Sequence, residues 1–162
     1  MSGILSDNVG RASGLMKAAG GGKILQVVGS TVKTAQSSLT STSHADSLVA
    51  AASLTPASSS NKVYVHYSGN WGRSGAIEIH LIIARQIDGG GYSTIAGSGK
   101  SITLADIHMQ MMYLDSPSTA GSVVDYKIYY KVSTGTAYHN YTYSIGAGDG
   151  GSQIVIMEVD GT

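Results

Sequence analysis

The sequence contains no cysteine. Disulfides and thiolate metal sites are excluded, and folding does not depend on the redox compartment. Phenylalanine is also absent, although there are ten tyrosines and one tryptophan. A tyrosine ring has an apolar body and a polar tip, so this bias places rings at edges, in half-buried seams or at interfaces. Charge is scarce: 12% of residues are charged, about half of the usual ~25%. Ten Lys and Arg balance ten Asp and Glu, giving a formal net charge of zero. No basic patch stands out, so no nucleic-acid partner is expected. No apolar run approaches the ~20 residues of a membrane span. Met1 is not followed by a basic stretch and a long apolar one, so neither a secretory signal nor a membrane partner is expected.

What remains is a chain of 162 residues that is 42% hydrophobic, enough for one domain with a real core. Its polar surface must come from Ser, Thr, Gly and Asn. Such a surface offers little charge repulsion against copies of itself.

The junction Gly20-Gly21-Gly22 divides two textures of sequence. Residues 1–22 read as an N-terminal docking arm with a glycine hinge, and residues 23–162 as a β-sandwich domain. In the arm, Ser6-Asp7-Asn8 can cap a helical turn, while Gly10 and Gly14 argue against a long helix. Its apolar points are Ile4, Leu5, Val9, Leu15 and Met16. A segment this short cannot bury them alone, which predicts a partner that covers them.

After the junction, apolar runs alternate with period two between turn clusters. Lys62 to Trp71 sets Val63, Val65 and Tyr67 against Tyr64, His66 and Ser68, and Gly72-Arg73-Ser74-Gly75 reads as its closing turn. Ala76 to Gln86 puts Ile77, Ile79, Leu81 and Ile83 on one face. Glu78 and His80 share the other with Ile82, so that face is expected to be partly covered. Ile107 to Leu114 is a further strand, and a weak one is expected from Tyr92 to Ala96. Val123 to Ser133 sets Tyr126, Ile128, Tyr130 and Val132 against Lys127, Tyr129 and Lys131. Ala137 to Ser144 is expected to pair with it across Thr134-Gly135, and Gln153 to Val159 is the last strand. The expected fold is all-β: an antiparallel, jelly-roll-like sandwich of eight or nine strands with a short extended or helical arm.

Several constellations suggest chemistry and fall short of it. Gly97-Ser98-Gly99-Lys100-Ser101 ends like a phosphate loop, but Thr94 stands where the first glycine belongs. The five histidines, His44, His66, His80, His108 and His139, lack metal-ligand spacing. His66 and His80, with Glu78 nearby, are expected to meet across adjacent strands, at a subunit seam. No Gly-x-Ser-x-Gly elbow occurs. Trp71, with Tyr64 and Tyr67, forms a candidate aromatic platform for a sugar ring, placed at a strand end. Asn140-Tyr141-Thr142 matches a glycosylation sequon.

The run Gly22-Lys23-Ile24-Leu25-Gln26-Val27-Val28 resembles the start of small bacteriophage virion proteins, especially those of marine and cyanobacterial phages. Ser41-Thr42-Ser43, Leu54-Thr55-Pro56, Ser58-Ser59-Ser60-Asn61-Lys62-Val63, Leu114-Asp115-Ser116-Pro117, Val124-Asp125-Tyr126-Lys127 and Ile156-Met157-Glu158-Val159 follow in the same order. The leader Ser6-Asp7-Asn8-Val9-Gly10-Arg11 is also similar to leaders in that group. The resemblance implies a β-sandwich in fibres, knobs or decorations of the virion, often trimeric, with no catalytic residues and no cofactor. The absence of coiled-coil heptads or a β-helical shaft points to a compact knob, decoration or adaptor. The expected partners are copies of the chain, as a homotrimer, and other capsid or tail proteins. The alternative is a tail-fibre module that binds a host surface glycan. The expected location is the virion.

Overall fold

The computed structural model describes residues 23–75, 77–102, 106–142, 146–147 and 151–161. The arm residues Ile4, Leu5, Val9, Leu15 and Met16 and the glycine hinge lie outside the described residues. No helix occurs among those described.

Among the described residues thirteen strands run in chain order: β1 (Ile24–Gly29), β2 (Ser37–Leu39), β3 (Ala45–Asp46), β4 (Ala52–Leu54), β5 (Lys62–Ser74), β6 (Ile77–Ile87), β7 (Ser93–Ile102), β8 (Asp106–Asp115), β9 (Val124–Val132), β10 (Thr136–His139), β11 (Tyr141–Thr142), β12 (Gly146–Ala147) and β13 (Gln153–Val159). They form the expected antiparallel sandwich. In sheet 1, β5 carries β8 along one edge; along the other it carries β13 and then β10, with β1 and β2 outermost. In sheet 2 the order is β3–β9–β6–β7, with β4 also on β9. β11 and β12 form a separate ribbon.

Period-two alternation builds the core. Val63, Val65 and Tyr67 of β5 and Ile154 and Ile156 of β13 point inward from sheet 1. Ile79, Leu81 and Ile83 of β6 and Tyr126, Ile128 and Val132 of β9 meet them from sheet 2, and all are essentially fully buried. Burying each such aliphatic side chain contributes about 1.5–3 kcal/mol.

The strands described outnumber the eight or nine expected, because short ladder segments such as β2, β3, β11 and β12 carry no alternation to betray them, and three further departures concern strand ends and pairing. The segment 72–74 is no turn. β5 continues through it because Gly72 and Arg73 pair with Tyr138 and Ala137 of β10. The turn comes at Gly75, whose φ of 79° suits glycine. Second, β10 does not pair with β9. After Ser133 the chain crosses to sheet 1 and joins β5 and β2. Third, β7 runs on to Ile102, so the Gly97–Ser101 stretch that resembles a phosphate loop lies within a strand paired to β6.

Among the described residues, every buried polar side chain has a hydrogen-bond partner. The Glu158 carboxylate accepts from Gln26 Nε2 at 2.6 Å, Asn61 Nδ2 at 2.6 Å and the Ala57 amide at 2.7 Å. Burial alone would raise its pKa, but these donors outweigh it and hold the group below the ordinary value. Arg85 of β6 donates from one nitrogen to both oxygens of Asp115 on β8, each at 2.9 Å, and so ties the sheets together. Tyr126 donates to the same carboxylate at 2.8 Å. Burial first, and then that hydrogen bond, push the Tyr126 hydroxyl far above its usual range.

Candidate functional site

In an antiparallel pair, residues directly opposite one another share a face. The registers of sheet 1 therefore assemble its outward side row by row. One row is Val27–Met157–Tyr64–Leu114, across β1, β13, β5 and β8. The next is Gly29–Val155–His66–Met112. Below them lies Ile24–Val159–Lys62; above lie Gln153–Ser68–Gln110 and then Asn70–His108. The lower rows are apolar apart from Lys62 and His66, and the upper ones are polar.

Ile24 is 55% exposed, Val27 56%, Leu114 50% and Met112 63%. Met157, Val155, Tyr64 and His66 are half-buried. Large apolar side chains stand in water here as a contiguous patch, and such patches mark places where another surface binds. In the polar half, the Ser68 hydroxyl lies 3.0 Å from His108 Nε2, and His108 Nδ1 lies 2.6 Å from Asn70 Oδ1.

The outward side of sheet 2 has the opposite chemistry. Glu78, His80, Asp125, Lys127 and Lys131 point out from β6 and β9, and Asp46 from β3. Lys127 is ion-paired with Asp46, and His80 Nε2 lies 3.2 Å from Glu78 Oε2. Ile82 and Ala84 also point outward but are buried, as the alternation suggested. Tyr129 stands opposite Ile82, and its ring packs 5.8 Å from that of Tyr92.

This layout corrects two sequence expectations. His66 does not meet His80: His66 lies on β5 in sheet 1, while His80 and Glu78 lie on β6 in sheet 2. β5 and β6 are consecutive in sequence, but the turn between them crosses the sandwich.

The Trp71, Tyr64 and Tyr67 platform also does not form. Trp71 and Tyr67 are fully buried and point inward, and Tyr64 alone faces out. Tyr67 lies along the strand because Gly69 between it and Trp71 has no Cβ; a side chain there would strike the Tyr67 hydroxyl and Ser152. That hydroxyl accepts from Trp71 Nε1 at 2.8 Å and lies 3.1 Å from His139 Nε2. His139 Nδ1 lies 3.0 Å from the Ser47 carbonyl, which can only accept. Nδ1 therefore carries the proton, and Nε2 accepts from Tyr67. The His139 ring stacks on Trp71 with centroids 4.3 Å apart. Burial drives the His139 pKa down to about 4, with the nearby Lys33 charge adding to it, against the Ser47 hydrogen bond. This linked cluster had no signal in sequence spacing beyond the Tyr-x-Gly-x-Trp run. The Asn140 sequon is closed as well. Asn140 is buried, and its amide donates to the carbonyls of Lys33 and Ala35 at 2.9 and 3.1 Å.

Among the described residues no group of three His, Cys, Asp or Glu could hold a metal ion.

No family model and no curated protein matches the sequence. Among solved structures, the chain is similar to an Eiger TNF from S. frugiperda, with a TM-score of 0.52 and 10% identity over 86% of this chain and 96% of that one. It is also similar to the CBM22-1 xylan-binding domain of Paenibacillus barcinonensis Xyn10C, with a TM-score of 0.35 and 15% identity over 90% and 100%. A structure described as CBM4 gives 0.30 and 10% over 82% and 91%. Identities this low speak to fold alone. Of these three, the first superposes closely enough to support a shared β-sandwich.

Proposed function

We propose that the chain is a structural subunit of a larger particle: a compact β-sandwich knob or decoration module of a bacteriophage virion, built as a homotrimer and held on the particle by residues 1–22. The observation that carries this reading is the unlike chemistry of the two outer faces. Sheet 2 is finished for water, with charges of both signs. Sheet 1 presents contiguous rows of apolar side chains that water covers at a cost. The protein acts by packing, and its buried polar groups are spent on holding the fold. The virion assignment is supported by the sequence resemblance, whose motifs run in order from the leader to Val159.

Particle incorporation tests it. The full chain and a version lacking residues 1–22 are expressed during phage assembly, and purified particles are assayed for each by mass spectrometry. The full chain is expected in particles at fixed stoichiometry, and the truncated one at least tenfold depleted. Equal incorporation of both removes the docking role of the arm. Absence of the full chain from every particle removes the whole reading.

A further inference from the structure

We propose that the two apolar rows on the outer face of sheet 1 form a contact between copies of this chain, and that protonation of His66 opens that contact. This rests on the particle-subunit reading and names the partner and its control.

The chemistry of the face selects its occupant. Its rows carry no carboxylate and no arginine from Lys62 to Asn70, and Lys62 stands at one end. A charged protein surface or a nucleic acid finds no complement there. The fitting surface is equally flat, apolar and uncharged. Among the described residues this chain supplies such a surface on this same face, one half of it meeting the other half of the neighbour's around a three-fold axis, since the outer side of sheet 2 is studded with charge. With zero formal net charge, two copies also approach without long-range repulsion.

A second observation concerns β8. Among the described residues it pairs with β5 alone, in a register of ten residue pairs without a bulge. It contains no Lys, Arg or Pro, and of the usual protections of an open edge it has only the inward-pointing Asp115 at its very end. The strand that carries Met112 and Leu114 is therefore built to be covered, and the covered surface runs from the face onto its edge.

His66 sits within the second row. Val155 faces it from β13, flanked by Gln153 and Met157; Met112 faces it from β8, flanked by Gln110 and Leu114. Its neighbours on β5 are Tyr64 and Ser68. The other groups of this face that can carry positive charge are Lys62 and His108, each two rows away. Both are cationic when charged, so neither stabilises an imidazolium. A second copy laid over these rows takes His66 out of water without offering an anion. The covered state then holds His66 neutral, and a proton binds in the open state. By linkage the contact weakens as pH falls, by up to about tenfold per pH unit for each imidazole so covered.

Native mass spectrometry and sedimentation velocity on the full chain test this at pH 8 and pH 5.5. The wild type is expected as an oligomer at pH 8 and as single subunits at pH 5.5. His66→Gln, neutral throughout, stays assembled at both. His66→Lys carries its charge at pH 8 and is dissociated there, with an unchanged far-ultraviolet circular dichroism spectrum; this arm needs no acid and is blind to acid unfolding. His108→Gln follows the wild type. The same wild-type mass at both pH values overturns the gating, as does acid dissociation of His66→Gln or normal assembly of His66→Lys. A wild type that is monomeric at pH 8 overturns the contact itself; if that monomer still enters particles, the subunit reading stands without it.

Discussion

The two outer faces of this sandwich come from strands of similar length and similar alternation, yet they differ in what they ask of their surroundings. Across sheet 1, Val27, Met157, Tyr64 and Leu114 stand side by side. On sheet 2, the outward residues of β9 are Asp125, Lys127, Tyr129 and Lys131. Where sheet 2 does point apolar groups outward, at Ile82 and Ala84, they are already buried. Sheet 1 leaves its apolar groups in water. The core therefore does not distinguish the sheets, since both contribute fully buried aliphatics to it. The difference lies outside: one face carries charges of both signs, and the other leaves large apolar side chains in water.

The sharpest way to break that comparison is to place a carboxylate in each face in turn. Leu114→Asp puts an unpaired charge where a second copy would cover it, while the half-exposed position leaves the subunit fold intact. Burying an unpaired charge in an interface costs about 2–5 kcal/mol or more, so the dissociation constant is expected to rise on the order of a thousandfold. The equivalent change on the other face, Lys131→Asp, is expected to leave assembly within twofold. Sedimentation equilibrium on both variants measures this. Equal losses from both would make the two faces alike and end the distinction.

Acid separates the face from the core. His139 is buried, with a pKa near 4 against an ordinary value of 6.5. Between those values the unfolded chain binds the proton that the folded chain refuses, so stability falls as pH drops from about 6.5 toward 4 and is flat above that window. That difference amounts to a loss of about 3 kcal/mol. Urea unfolding of the Leu114→Asp monomer at pH 7.5 and pH 4.5 is expected to show most of this loss. His139→Gln in the same background is expected to be less stable at pH 7.5 and much less sensitive to pH. An unchanged pH slope in that variant would place the acid response elsewhere. Because the monomer has no contact to open, this effect is distinct from the one assigned to His66.

Much of the sandwich was legible in the sequence because alternation is a direct consequence of strand geometry. β5, β6, β8 and β9 lie where the period-two runs placed them, and Ile77, Ile79, Leu81 and Ile83 line the core. Alternation divides a strand into two faces but does not say which element covers each. Alternation already sets Tyr64 and Tyr67 on opposite sides, so a platform built from both runs against the sequence pattern itself. Trp71 reads as a rim residue for a different reason: Gly72 and Gly75 look alike as letters, and only Gly75 has the positive φ of a turn. Strand partners across the sandwich were equally hidden. A short spacing between β9 and β10 suggests a hairpin, whereas the chain changes sheets there. The Gly/Ser stretch of β7 was missed because those residues have little β propensity of their own, and the ladder to β6 supplies the order. His66 was singled out by its residue type, and its apolar setting came into view only once the registers were known.

The smallest expected effect sharpens the comparison from the charged side. Lys127 and Asp46 form an ion pair on the outer face of sheet 2, where both side chains are partly exposed. Burial pulls the Lys127 pKa down, but the hydrogen bond and charge of Asp46 outweigh it and leave a net rise. The pair is thus favourable in the folded state. Water, salt and the entropy of two long side chains reduce its worth, and exposed pairs of this kind contribute about 0.2–1 kcal/mol. A double-mutant cycle of Lys127→Ala and Asp46→Ala is expected to return a coupling in that range that shrinks in 1 M salt. Assembly of all three variants is expected to match the wild type. If removing this pair instead weakened assembly as strongly as Leu114→Asp, the charged face would itself be an interface, and the patch on sheet 1 would need another explanation.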